Sequence, residues 1–343
     1  MLAIKLDRIL IEKIWGGRNL ENLGIKLPEA KNYGESWEVA AHKSHTNFLS
    51  KEIFSSLYSR DEKELIEYKF RYMELMEYNL QELLEKYKGK LVGEEVYEKY
   101  QNRFPLLIKY LDINDKLSIQ VHPNNEYALK NENDLGKTEC WYIMDASGDA
   151  ELILGLKDGI TKEEFINKTS KNDFSNIFNK VKVKKGDFLF IDNGLVHASL
   201  RGSIVICEVQ QNSDATYRIY DFDRLENGKK RDLHLEKAYD VINFEETYKT
   251  RSEYKIIEEK GLWEKKEFVD CEYFKVEYIK IFKEYKEEAF KNFQVLSFLE
   301  GHGQLFISDN TFLEVKKGDT YLIPANYNYA IKGELEILKS TIS

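Results

Sequence analysis

The chain is poor in the residues that stiffen or staple small folds. Only four of its 343 residues are proline, which excludes proline-rich linkers and proline-driven disorder. Its three cysteines, Cys140, Cys207 and Cys271, lie far apart and form no CxxC pair. That excludes a disulfide framework and a thiolate zinc site, and leaves reduced thiols in the cytoplasm as the expectation. No apolar run approaches the roughly 18 residues of a membrane span. The opening MLAIKLDRILIEKIWGG is broken by Lys5, Asp7 and Arg8, unlike a signal peptide. Positive charge is also short. With a net charge of −9, the chain has no broad basic surface for nucleic acid. An anionic substrate would therefore need a local basic cluster.

Aromatic residues are abundant, with 22 Tyr and 19 Phe, and they favour strands. At this length the chain can hold two domains. Residues 1 to 50 read as short strands and turns. From Lys51 to Asn102 the texture changes, with almost no Gly or Pro and dense charge. There Ile66, Phe70, Met73, Met76, Leu80, Leu83 and Tyr87 recur at three- and four-residue spacing. That is a helical period, predicting a helical insertion whose apolar stripe packs on a β core. Strand signals then dominate: FPLLIKYLDI, KLSIQVHP, ECWYIMDA, ELILGL, VKVKKGDFLFIDNG and SIVICEVQQ. A short helix is predicted over 161 to 169, with Thr161 and Glu164 in a capping-box pattern. Many short strands between turns imply a sandwich or barrel.

The β texture repeats once. VKVKKGDFLFIDNGLVHASLRG at 181 to 202 resembles LEVKKGDTYLIPANYNYAIKGE at 313 to 334. An offset of 132 residues pairs Ile191 with Ile323 and His197 with Tyr329. KKGD alone could be a common hairpin turn, but the match runs past it. A duplicated β domain follows, whose second copy has lost the His. Residues 1–240 are then the catalytic domain and 241–343 a degenerate copy.

Gln120 and His122 lie two apart in a strand and so share a face. Glu139 follows on the next strand and His197 closes a later hairpin. Two imidazoles and a carboxylate suit a divalent ion such as zinc, with the Gln120 amide oxygen as a less usual fourth ligand. Two neutral His, one Gln and one Glu leave such a site cationic and electrophilic. Taken singly, each of these residues reads as an ordinary buried polar group.

The surrounding motifs carry a resemblance. Gly186-x5-Asp192-x-Gly194-x2-His197 is similar to the second cupin motif, with Asp192 where Pro is usual. Gln120-x-His122 followed by Glu139 resembles the first, with Gln in place of its first His. More narrowly, GESWEVAAH at 34 to 42, FPLLIKYLD at 104 to 112, LSIQVHPNNEYA at 117 to 128, GKTECWYI at 136 to 143 and NSDATYRIYDFDR at 212 to 224 resemble the type I mannose-6-phosphate isomerases in their short bacterial form. The likeness is good over roughly 1 to 240 and thinner over 51 to 79 and the C-terminal half. It implies a mainly β protein of two jelly-roll cupin domains with a helical insertion. It also implies one zinc ion per chain, and interconversion of mannose 6-phosphate and fructose 6-phosphate through a cis-enediolate.

By the same resemblance Gln120, His122, Glu139 and His197 match the metal ligands. Lys137 and Arg218 match the active-site Lys and Arg, and Asp214 an acidic residue. Lys109 and Ser118 match pocket positions. Longer members carry His immediately before that Lys, whereas this chain has Gly136, so another group would have to help open the sugar ring. Lys137 is open to two readings. It is the base that moves the proton, or it stays charged on phosphate or oxyanion while Asp214 or Glu208 handles protons. Arg218 suits a bidentate hold on phosphate or sugar oxygens, against a structural salt bridge with Asp221, Asp223 or another local acid. Two other functions compete: an iron cupin dioxygenase, against which Gln120 argues because imidazole serves iron's redox chemistry better, and a non-catalytic sugar-binding cupin, which leaves Lys137 without a task. The expected partner is a small phosphosugar, with neither nucleic acid nor membrane. Nothing demands more than a monomer.

Overall fold

The computed structural model describes residues 2–28, 31–226, 228–245 and 255–343. An antiparallel sheet of six strands runs in the order Phe188–Ile191, Glu139–Ala146, Ile204–Gln211, Leu106–Ile113, Tyr33–Val39 and Ile9–Gly17. A second sheet orders Tyr217–Tyr220, Ile119–Val121, His197–Arg201, Glu151–Leu156 and Phe178–Lys182. The two face each other over a core that includes Leu111, Trp141, Ile143, Leu152, Leu154, Leu189, Ile191 and Ile206. This is the mainly β sandwich that the sequence predicts.

The strands Leu106–Ile113 and Ile204–Gln211 are buried along their whole length. Their second face packs into another core: Ile108, Tyr110, Cys140, Tyr142, Cys207 and Val209 join Phe268, Tyr278, Ile337 and Leu338 of the C-terminal sheet. A sheet covered on both faces needs near-continuous apolar strands rather than alternating ones, as LLIKYL and SIVICEV show. The predicted helix at 161 is present as Lys162–Thr169, with Thr161 Oγ1 accepting from Glu164 N at 3.2 Å. It covers the outside of the smaller sheet together with Leu235–Val241, through Phe165, Ala238 and Tyr239.

The C-terminal sheet repeats the first domain's wiring. Strands Thr320–Ile323 and Tyr329–Thr341 begin 132 residues after Phe188–Ile191 and His197–Arg201. Both KKGD turns are built alike. Asp187 and Asp319 each accept from the amide of the first Lys at 3.0 Å. Gly186 and Gly318 both adopt positive φ, 88° and 84°, where a side chain would be strained. Lys185 and Lys317 both pair with Glu300.

The register then shows what the copy lost. Glu139 stands opposite Ile191, and Gln294 opposite Ile323. Where the first domain offers Glu139 and His197, the second has Gln294 and Tyr329, joined by a neutral hydrogen bond of 2.7 Å. The neighbouring rung is charge-reversed: Lys109 faces Glu208 in the first copy, while Glu277 faces Lys339 in the second.

Two strands cross the division drawn at residue 240. Ile4–Lys5 pairs with Thr320–Ile323, and Leu57–Ser59 pairs with Thr311–Lys316. The helical insertion is confirmed as a series of helices, among them Glu62–Leu75, Leu80–Tyr87 and Glu94–Tyr100. Its predicted core stripe needs correction. Leu80 and Leu83 are buried, but Ile66, Phe70 and Met73 are 60%, 59% and 52% exposed. Tyr68, Tyr72 and Leu75 face inward instead. The reason is polar: Tyr68 Oη donates to Ala3 O at 2.9 Å and Tyr72 Oη to Lys5 O at 2.8 Å. These bonds tie the helix to the N-terminal strand, and aliphatic residues could not make them.

Candidate metal centre and active site

Three chain segments bring the ligand candidates together. His122 follows strand Ile119–Val121, Glu139 opens Glu139–Ala146, and His197 opens His197–Arg201. All three are buried, and one ligand atom from each lies within 4.8 Å of the others. His122 Nδ1 meets Ala215 O at 3.0 Å and His197 Nδ1 meets Leu195 O at 3.0 Å. With Nδ1 donating to a carbonyl, each ring presents the lone pair of Nε2 inward. Burial, then Lys137, lowers the His122 pKa well below its usual value, and burial lowers that of His197 to about 4. Both rings are thus neutral, the form that binds a metal.

Glu139 Oε1 and His197 Nε2 are buried without a hydrogen-bond partner among the described residues. Their Nε2–Oε1 separation is 3.4 Å, and His122 Nε2 lies 3.6 Å from Glu139 Oε2. Orphaned acceptors at this depth are costly, and a divalent cation between them relieves the cost. The donor set fits a zinc-type ion. Gln120 lies opposite His197 on one side and Arg218 on the other, and its side chain lines the adjoining cleft.

That cleft holds about 220 Å³ and gathers every remaining sequence candidate: Lys109, Ser118, Lys137, Glu208, Asp214 and Arg218. Lys137 Nζ is 2.5 Å from Glu139 Oε2 and 3.0 Å from His122 Nε2. Asp214 is exposed at the rim. Among the described residues Arg218 makes no salt bridge: Asp221 is held by Arg224 and Arg231, and Arg218 Nη1 donates to Asp232 O at 2.9 Å.

Behind Lys137 lies a buried charge network that the sequence reading only grazed. Lys109 Nζ sits between Glu35 and Glu208, at 3.8 and 3.7 Å, and over the Trp37 ring at 4.6 Å. Burial opposes its charge, but the two carboxylates raise its pKa. Glu208 accepts from Trp141 Nε1 at 2.8 Å. Its own pKa is raised, first by burial and then by Glu139. Lys13, Glu35, Trp141 and Arg231 also line the cleft. Trp141 had a signal, since it sits two residues after Glu139 and so on the same strand face. Arg231 directly follows the short strand Lys229–Lys230 and had none. His42 is buried between Ser44 and Asp134, at 2.7 and 3.0 Å.

Residues 3–158 match the family described as phosphomannose isomerase type I, catalytic domain, and residues 264–342 match the mannose-6-phosphate isomerase cupin domain. Mannose-6-phosphate isomerase ManA of Bacillus subtilis (strain 168) is 35% identical over 335 residues, covering 96% of this chain and 95% of that one. The chain belongs to the type I phosphomannose isomerases. A mannose-6-phosphate isomerase of Streptococcus mutans is 33% identical over 332 residues, covering 96% of this chain and 95% of its own. The crystal structure of the Bacillus subtilis mannose 6-phosphate isomerase superposes with a TM-score of 0.84 at 33% identity over all of both chains. A mannose 6-phosphate isomerase solved with zinc and yttrium shares the fold, with a TM-score of 0.75 at 16% identity over all of both chains. In this type I phosphomannose isomerase His122 and Glu139 lie within the stretch that matches the catalytic model and His197 beyond it, and no comparable group of three such ligands occurs elsewhere among the described residues.

Proposed function

We propose that this chain is a zinc-dependent mannose-6-phosphate isomerase that moves a proton between C1 and C2 of its substrate through a cis-enediolate. The observation that carries the reading is the convergence of His122, Glu139 and His197, two of them with orphaned ligand atoms, on a cleft lined by Lys137 and Arg218. His122, Glu139 and His197 would hold one zinc ion, with Gln120 as the fourth ligand. When bound, the ion supplies Lewis acidity that stabilises oxyanion charge on the sugar, worth several kcal/mol.

The chain's own residues do the rest. Lys137, held beside Glu139 and His122, is the group placed to move the carbon-bound proton, a role worth roughly 10²–10⁴-fold. Glu208, whose pKa is raised by burial and by Glu139, and Asp214 at the rim can exchange protons with the hydroxyls. Lys109 and Ser118 line the wall and orient the sugar. Ring opening falls to these groups, because Gly136 has no side chain to assist. All of these residues come from one chain, so a monomer suffices. Cys140 and Cys207 are buried and free, as suits the cytoplasm, and no described helix is long and apolar enough to cross a membrane.

A coupled assay on mannose 6-phosphate, run before and after chelation, tests the proposal. We expect turnover that chelation abolishes and zinc restores. Turnover that survives removal of all metal would sink it.

A further inference from the structure

Two guanidinium groups line the cleft, and only one of them was visible in the sequence motifs. Arg218 lies on strand Tyr217–Tyr220 opposite Gln120, and Gln120 in turn stands opposite His197. Arg218 is therefore two strands from His197, or about 10 Å at ordinary strand spacing. In a six-carbon sugar the phosphate on C6 lies at the far end from the reacting C1 and C2. The same cleft also contains Arg231.

Arg231 is mostly buried, its side chain 13% exposed. Its Nε donates to Asp221 Oδ2 at 2.8 Å, and its Nη2 also donates to Asp221. Arg224 Nη2 shares the same carboxylate at 2.7 Å. One carboxylate thus serves two guanidiniums and cannot neutralise both. Arg218 adds a third cation whose side chain, among the described residues, donates only to the carbonyl of Asp232, and its buried Nε has no partner there. Arg218 is disfavoured as a cation first by burial and then by Arg231 itself. Arg224 also lies 3.5 Å from Asp115, so Arg218, Arg224, Arg231, Asp221 and Asp115 together carry a net charge of +1 (three cations less two anions). That surplus favours an anion in the cleft.

The loop is shaped to hold Asp221 there. Phe222 and Asp223 both have φ of 56°, a conformation uncommon for any residue but glycine and rarer still for a bulky one. Asp223 is tied back by Tyr220 Oη at 3.0 Å and Lys230 Nζ at 2.6 Å. A bidentate bond fixes a guanidinium's plane and leaves its opposite edge to a second anion. Among the described residues Arg231 Nη1 has no partner.

We propose that Arg231, oriented by Asp221, joins Arg218 in a two-guanidinium clamp on the phosphate of the substrate. This rests on the phosphosugar reading above. Arg231 is the binding residue and Asp221 the positioning residue.

The test uses the zinc-loaded full chain with Arg231→Ala, Arg231→Lys and Asp221→Asn. Kinetics on mannose 6-phosphate and on free mannose are paired with calorimetric titration of inorganic phosphate. Arg231→Ala should raise KM for mannose 6-phosphate and weaken phosphate binding by about tenfold or more. Its kcat, its zinc content and its turnover of free mannose should stay within about twofold. Arg231→Lys should fall between the two, because it keeps the charge and loses the fork. Asp221→Asn should shift KM in the same direction with kcat kept. If Arg231→Ala leaves both KM and phosphate affinity unchanged, the clamp is overturned. It is equally overturned if free mannose and mannose 6-phosphate lose turnover alike, since that marks a structural role. Wild-type protein that binds phosphate through Arg231 but never turns over mannose 6-phosphate would sink the isomerase reading and spare the clamp.

Discussion

At the scale of single residues, the energetics of the site turn on carboxylates taken out of water. Glu139 is fully buried, with one oxygen beside Lys137 and the other orphaned beside His197. Glu139→Gln keeps the shape and removes the charge that a cation needs. We expect zinc content measured by elemental analysis to fall below stoichiometric, and kcat to drop by about 10³-fold. A variant that holds zinc and turns over normally would remove Glu139 from the site. Glu35 shows the complementary case. Burial alone would raise its pKa, but Lys109, Lys13 and the Trp37 N–H lower it to about 2 from 4.5. A carboxyl depressed on folding stabilises fully above the unfolded value of 4.5 and loses that contribution as pH falls through 2. The shift corresponds to about 3 kcal/mol. The stability gap between wild type and Glu35→Gln should therefore be constant above pH 5 and shrink by about that amount between pH 5 and 2. A gap that does not change in that window would show that the ion pairs contribute nothing. The grouping of His122, Glu139 and His197 was readable because strand alternation and motif spacing report which side chains share a face. The partners of Lys109 were not readable. Glu35 reaches it from 74 positions away through strand pairing, a contact that one sequence does not encode locally.

At the scale of elements, the insertion shows where pattern reading fails. Periodicity located helix Glu62–Leu75 but chose the wrong stripe, because it counted Ile66, Phe70 and Met73 as core. A tyrosine that buries its ring and donates from its hydroxyl competes with an aliphatic residue for the inward face. The contest was settled by two N-terminal carbonyls, Ala3 O and Lys5 O. The KKGD repeat was a better guide, because a glycine at positive φ and an aspartate capping the turn are demands of the backbone itself. The two faces of the helix should respond differently to mutation. Tyr72→Ala removes a fully buried ring and should cost about 3–5 kcal/mol, as ring deletions in cores do. Phe70→Gln, on the exposed face, should stay within about 0.5 kcal/mol. Chemical denaturation of both variants reads this directly. Equal losses would mean that Phe70 is covered in solution.

At the scale of the whole molecule, the two cupin copies share one core. The six-stranded sheet of the catalytic domain has two buried faces, and its outer one is covered by Phe268, Tyr278 and Leu338. Strands Ile4–Lys5 and Leu57–Ser59 complete the C-terminal sheet rather than their own. The copy without the His–Glu–His group therefore serves as packing for the first. Its former site is filled by the Gln294–Tyr329 hydrogen bond and by Lys339 paired with Glu277 and Glu287. A chain cut after residue 245 would expose a broad apolar sheet face, a surface that soluble proteins rarely leave bare. It would also strand two unpaired β segments, which template aggregation. We expect the truncated chain to be insoluble or to bind a hydrophobic dye strongly, and the full chain to unfold in a single calorimetric transition. A soluble, zinc-binding fragment of residues 1 to 245 would show instead that the catalytic copy is stable alone, and that its partner contributes something other than a cover.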